Sequence, residues 1–149
     1  MNALEIIKPD DWHVHFRESP LLEKLVPETS KVFNRAIVMP NLIKPITSSK
    51  IASSYKKKIL QYSTNNTFFY PLITFYLHDE MSINELVNAF KEKIIFAAKL
   101  YPLGATTNSS KGISKISNMF KIFEKMSEHK IPLLIHGEVN KKEIDVFDR

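Results

Sequence analysis

Short apolar runs and longer stretches with helical spacing alternate along this chain. The runs cover 11–15, 36–41, 68–77, 94–102 and 132–138, are rich in β-forming residues and are mostly apolar on both faces, as in strands buried in a parallel sheet. Between them, 20–33, 47–62, 82–93 and 114–130 carry apolar residues every three or four positions, the spacing of amphipathic helices. Ser19 is placed to cap the first of these, and Pro27 is expected to interrupt it. Thr47 or Ser48 caps the second. Ser82 stands three residues before Glu85, a capping-box pattern, and Ile83, Leu86, Val87 and Phe90 form the stripe of the third helix. In the fourth, Ile116, Met119, Phe120, Phe123 and Met126 fall on one side.

Four strand–helix units followed by a fifth strand predict an α/β architecture with a parallel sheet. A doubly wound sheet usually carries a Gly-rich phosphate loop after its first strand, and Gly104, Gly112 and Gly137, the three glycines present, form none. In a (β/α)8 TIM-type barrel the polar chemistry gathers at the C-terminal ends of several strands. That is the arrangement here: His13 and His15 end the first strand, Asn41 the second, Lys99 and Tyr101 lie late in the fourth, and His136 and Glu138 end the fifth. Such a barrel takes about 250 residues. The 149 residues therefore hold little more than half of one, and 1–149 reads as a single incomplete barrel domain.

Composition narrows the chemistry. With 44% hydrophobic and 25% charged residues the chain is globular rather than disordered. The absence of cysteine excludes disulfides and thiolate metal sites, so nitrogen and oxygen must hold any metal. The net charge of +5 comes almost wholly from lysine, much of it on helical faces such as Lys56, Lys57 and Lys58, so it reads as a solvated surface and not as a nucleic-acid footprint. No apolar run approaches the roughly 18 residues that a membrane span needs. A cytoplasmic location is the expectation.

The sharpest local signal is Trp12-His13-Val14-His15-Phe16-Arg17. Extended backbone puts His13, His15 and Arg17 on one side, which gathers two neutral ring nitrogens and one guanidinium. That set suits a metal ion beside a bound carboxylate or phosphate, whereas a bare His-x-His is as easily two half-exposed histidines at a strand end. Lys99 lies in an apolar strand, where burial depresses the amine pKa and makes it a nucleophile able to add carbon dioxide. The resulting carbamate can bridge two metal ions; the competing reading is an ammonium that reaches out to water. His136 ends another apolar strand. His13, His15, Lys99 and His136 then converge from three strands on the mouth of one barrel, as a two-metal hydrolytic site with ions about 3.5–4 Å apart requires. His129, at a helix end, is better explained by the helix dipole, and His78 by a loop. The polar segment 103–112 is either a substrate cover or an ordinary connection.

Several of these motifs, in order, resemble dihydroorotases of the bacterial and yeast single-function type, in the amidohydrolase superfamily. The resemblance rests on Pro9-Asp10-Asp11-Trp12-His13-Val14-His15-Phe16-Arg17, Arg35-Ala36-Ile37-Val38-Met39-Pro40-Asn41, Ala97-Ala98-Lys99-Leu100-Tyr101-Pro102, Ala105-Thr106-Thr107-Asn108-Ser109-Ser110 and Leu133-Leu134-Ile135-His136-Gly137-Glu138. It covers the whole chain and corresponds to the family's N-terminal half. It implies two zinc ions, one on His13 and His15 and a second on His136, bridged by carboxylated Lys99 (N6-carboxylysine). It also implies that Arg17 and Asn41 hold a substrate carboxylate, that His15 and His136 lie near the bound ring, and that Thr106 and Thr107 tip a mobile loop. The implied reaction interconverts N-carbamoyl-L-aspartate and L-dihydroorotate in pyrimidine biosynthesis. The implied partner is that small-molecule substrate, with no nucleic acid or membrane and with a homodimer admitted.

The family's general acid, an aspartate ending the eighth strand, and a further metal histidine on the sixth would both fall beyond Arg149. Neither Glu138 nor Asp145 replaces them by motif. These 149 residues alone are therefore expected to bind zinc weakly and not to turn over. Two other readings compete: a relative acting on another cyclic amide, against which Arg17, Asn41 and the Thr-Thr loop argue, and a non-catalytic half-barrel.

Overall fold

The computed structural model describes residues 4–63, 68–138, 143–145 and 147–148. Its five strands are β1 (Asp10–Val14), β2 (Arg35–Val38), β3 (Tyr70–Tyr76), β4 (Ala97–Leu100) and β5 (Leu133–Ile135). They pair in chain order and all in parallel, as a curled half-barrel. The helices α1 (Leu21–Val32), α2 (Ser49–Tyr62), α3 (Ile83–Lys91) and α4 (Phe120–Glu128) fill the connections, with a 3-10 turn at Ile116–Met119 leading into α4. The architecture is the α/β one expected, the N-terminal part of a TIM-type barrel.

Alternation along the strands sorts the side chains into two sets. Phe16, Ala36, Val38, Ile73, Phe75, Leu77, Ala98 and Leu100 join one apolar core with Leu22 and Val26 of α1, Ala52 and Ile59 of α2, Leu86 and Ala89 of α3, and Ile122 and Met126 of α4. The residues between them, His13, His15, Ile37, Thr74, Tyr76 and Lys99, belong to the other face. The same period that builds the helix-covered core thus delivers the polar residues to the opposite side. The outer strands are less covered: Trp12 of β1 is 55% exposed and Ile135 of β5 60% exposed.

Local signals mostly hold, with informative departures. Ser48 caps α2 and Ser82 caps α3, each side chain accepting from a backbone N–H one turn on. The Ser82–Glu85 box is only half made, because the Glu85 carboxylate accepts from Ser49 N at 2.6 Å instead of turning back on its own helix. Ser19 does not cap α1, whose N-cap is Pro20, and Pro27 sits inside the helix without ending it. The helix continues through Pro27, with Leu22, Val26 and Ser30 buried along its inner face and Ser30 Oγ donating to Pro27 O at 3.1 Å. The α4 stripe is rotated from the one predicted. Ile116 and Phe120 are exposed, while Met119, Ile122 and Met126 are buried.

Beyond β4 the chain folds back on itself. Pro102 pairs with Ile113, Ile113 N donates to Tyr101 O at 2.8 Å, and Leu103 N donates to Ile113 O at 3.1 Å. A Cβ on Gly112 would lie 2.4 Å from Tyr101 O and 3.0 Å from the Pro102 carbonyl, closer than packing permits. Gly112→Ala is expected to pry this strap open and to cost about 2 kcal/mol, a fall of roughly 4–8 °C in melting temperature. Thermal unfolding checks it, and an unchanged midpoint would count against the strap as a tight contact.

Candidate active site

The ladder between β1 and β2 slips between Asp11 and Val14, and this irregularity falls where Trp12 and His13 lie. Such bulges re-aim side chains beside functional sites. The result brings His13 Nε2 and His15 Nε2 within 3.0 Å of each other. Two nitrogens bound to one tetrahedral zinc at 2.0–2.1 Å would stand about 3.3 Å apart, so the pair fits joint ligation of one ion. Burial, then the charges of Arg17 and His13, push the His15 imidazole down to about 4, against a smaller opposing effect of Asn41. His13 is lowered too, first by burial and then by the charge of Lys99. Both rings are therefore held neutral near pH 7, the form that binds metal.

Lys99 occupies the middle of the sheet, opposite Tyr76 on β3 and Leu134 on β5, and is 3% exposed. Its ammonium meets no hydrogen-bond or ion-pair partner among the described residues and stands 5.4 Å from the centre of the Tyr101 ring. Burial lowers its pKa, which favours the free amine.

His136 follows β5, with its backbone N–H donating to Leu100 O at 2.9 Å. Its charge is felt at His13, yet its ring Nε2 lies 2.7 Å from Glu138 Oε2. A carboxylate accepts, so in this contact the ring Nε2 is the donor. Among the described residues no three His, Asp or Glu side chains come close enough to hold one metal ion. The set that fits a metal is thus the His13–His15 pair, with Lys99 and His136 near it but not joined to it by any direct contact.

Arg17 leaves the strand pattern with φ of 59°, a left-handed conformation uncommon outside glycine. Its backbone carbonyl accepts from Tyr55 OH at 2.6 Å, and its guanidinium donates to Asn41 O at 2.8 Å. Asn41 is 1% exposed and links three segments: its carbonyl also accepts from Asn108 Nδ2 at 3.0 Å, and its own Nδ2 donates to Thr107 O at 2.9 Å. The 103–112 segment is thereby docked on Asn41, with Thr106 and Thr107 beside it. Asn108 and Glu138 stood in the motifs, but their contacts with Asn41 and His136 were not foreseen. The Glu138 contact was accessible to motif reading, two residues from His136 on extended chain, whereas the Asn41–Asn108 contact joins loops 67 positions apart and left no local trace.

Of the other histidines, His78 lines a separate cleft of about 430 Å³ with Thr47, Asp79 and Ser114, and His129 is the C-cap of α4. Neither joins the site.

Comparison with known proteins bears on the fold that carries these residues. No protein-family model matches the chain. It is 46% identical over 149 residues to the dihydroorotase of Marinomonas sp. strain MWYL1, covering all of this chain and 43% of that one. Among solved structures it matches dihydroorotase from Campylobacter jejuni with a TM-score of 0.82 and 38% identity, over 90% of this chain and 39% of that one. It also matches dihydroorotase from Saccharomyces cerevisiae, solved with 5-fluoroorotic acid, with a TM-score of 0.79 and 32% identity, over 92% and 38% respectively. The chain therefore spans less than half the length of the relatives it matches. In sequence and in fold alike, it corresponds to the N-terminal portion of dihydroorotases.

Proposed function

We propose that this chain is the metal-bearing N-terminal part of a cytoplasmic dihydroorotase, an enzyme that interconverts N-carbamoyl-L-aspartate and L-dihydroorotate. The likeness to dihydroorotases along the entire chain carries this reading. Two zinc ions would be its cofactor: His13 and His15 would hold one and His136 would help to hold the other, with carboxylated Lys99 as the ligand common to both. When bound, the pair supplies a hydroxide nucleophile at neutral pH and polarises the ring carbonyl.

The chain's own residues do the rest. The Lys99 amine attacks the carbon of carbon dioxide, an N–C bond forms and one proton leaves to solvent. With the proton that the ammonium sheds beforehand, two protons leave in all, and the neutral amine becomes an anionic carbamate that could serve as a metal ligand. The Arg17 guanidinium presents a rigid fork of donors to the substrate carboxylate. Asn41 connects that position to the Thr106–Thr107 loop, which shields the ring from water. With the ring amide so oriented, the reacting atoms meet without a search. None of these residues is placed as the acid for the departing nitrogen, a role the resemblance gives to an aspartate of the eighth strand.

The reading has a direct test. With zinc in excess, calorimetric titration is expected to give binding of L-dihydroorotate at least about tenfold tighter than of hydantoin or dihydrouracil, which lack the carboxylate that Arg17 would grip. Equal affinities would favour a relative specific for another cyclic amide. Cyclisation of carbamoyl aspartate by the 149 residues alone is expected to be undetectable. A rate near that of a full-length relative would overturn the assignment of the acid to the missing strand.

A further inference from the structure

Three tyrosines are buried in this protein, and they treat their hydroxyls differently. Tyr55 OH donates to Arg17 O at 2.6 Å and Tyr76 OH to Asn108 O at 3.4 Å. Tyr101, 1% exposed, leaves its hydroxyl without any partner. Among the described residues, His15 Nδ1 and Asn41 Oδ1 of the candidate site are also buried without a well-formed hydrogen bond, but each of these residues feels the other. Unpaired buried polar groups destabilise a fold, and native proteins rarely keep one without cause.

The surroundings of Tyr101 indicate the cause. It lies two residues after Lys99 on the same face of the chain, with the Lys99 ammonium 5.4 Å from its ring centre and the His136 ring 5.9 Å away. Its ring stacks on Tyr76 at 5.2 Å and 26°, which fixes its direction. The Arg17 charge reaches the hydroxyl, so the group sits among the residues assigned to metal and carboxylate. Burial, against a smaller opposing effect of the Arg17 charge, holds the proton on this phenol, so the group is a donor, and what it lacks is an acceptor.

We infer that the Tyr101 hydroxyl, held in place by the Tyr76 ring and left unpaired by the protein, donates a hydrogen bond to an oxygen of the bound anionic amide. This rests on the dihydroorotase reading and adds to it a substrate-binding residue. A hydroxyl kept for a ligand has a signature that a structural hydroxyl lacks. Removing it relieves the fold and weakens only the ligand.

The test is Tyr101→Phe in the full chain with zinc in excess. Its melting temperature is expected to rise by about 2–4 °C, its zinc content to be unchanged and its affinity for L-dihydroorotate to fall at least about tenfold. Tyr76→Phe, which removes a hydroxyl that has an acceptor, is expected to melt no higher than the parent. A lower melting temperature for Tyr101→Phe, or undiminished affinity, would overturn the inference. So would a fall in zinc content, which would put the hydroxyl on the metal centre. If the unaltered chain does not bind L-dihydroorotate at all, the functional reading fails and this inference with it. Undiminished binding by Tyr101→Phe overturns the Tyr101 assignment alone.

Discussion

Lys99→Met is expected to raise the melting temperature of the chain in the presence of chelator and to abolish its capacity for a pair of zinc ions. The two effects share one origin. Lys99 is 3% exposed in an apolar strand with no anion beside it, so its ammonium bears a desolvation cost that no ion pair offsets. The Tyr101 ring recovers part of this, about 1 kcal/mol for a cation over an aromatic face. Replacing even a buried ion pair by apolar groups of similar volume can stabilise by roughly 1–4 kcal/mol, and an ammonium without an anion has no Coulombic attraction to lose. The net gain is then about 1 kcal/mol, or roughly 2–4 °C for a chain of this size. Methionine cannot form a carbamate, so zinc stoichiometry measured by calorimetry should drop from two to at most one. A destabilised Lys99→Met would mean that the ammonium has a stabilising role in the fold, and two bound zinc ions would remove the bridge from the proposal.

Asn41→Ala is expected to release the 103–112 segment from the mouth of the half-barrel. The Asn41 side chain donates to Thr107 O across 66 positions of sequence, and among the described residues no other side chain of the site reaches that carbonyl. Losing it leaves a part-buried carbonyl unpaired and a small void, a cost of about 2 kcal/mol. The Asn41 backbone carbonyl keeps its bonds from Arg17 and Asn108, so Arg17 stays anchored while the loop loosens. Chemical denaturation should give the loss in stability, and hydrogen exchange should show faster labelling confined to 104–110. Unchanged protection there would mean that Asn108, with Ser109 bonded to Thr106, holds the loop unaided.

The strands were legible because their apolar runs are dense and separated by clear helical spacing, but their ends were not. The second run reads as far as Asn41, whereas β2 stops at Val38. Met39, Pro40 and Asn41 are as buried as any strand residue while following a loop, and a pattern of burial cannot tell the two apart. The fourth run reads 94–102 and yields only Ala97–Leu100, because Ile94 and Ile95 are spent on the turn out of α3 and Pro102 pairs with Ile113 instead. The α4 stripe is displaced because the segment enters through a 3-10 turn, with Ser114 Oγ bonded to Asp79 at 2.6 Å, and three residues per turn rotate the helix beyond it.

In the site, the histidines and Lys99 were visible because ionisable residues in apolar strands are conspicuous. Tyr101 was not. A tyrosine at the end of an apolar run is the expected filling of a core, and only the missing partner of its hydroxyl, a property of three dimensions, sets it apart. The convergence of His13 and His15 followed from alternation, but the turning of His136 toward Glu138 did not, since the same spacing suits a ring facing either way.

The carboxylate of Glu85, taken by the first turn of the neighbouring helix, ties two segments into one cooperative unit. Because the start of α2 is closed by a residue of α3, neither helix can fray from its N-terminal end without freeing a donor or an acceptor of the other. The strand β3 lies between them in sequence and packs against α2. Stretches of chain joined in this manner open together or not at all. A change at Glu85 is thus expected to be felt at the start of α2, one helix away from where it is made.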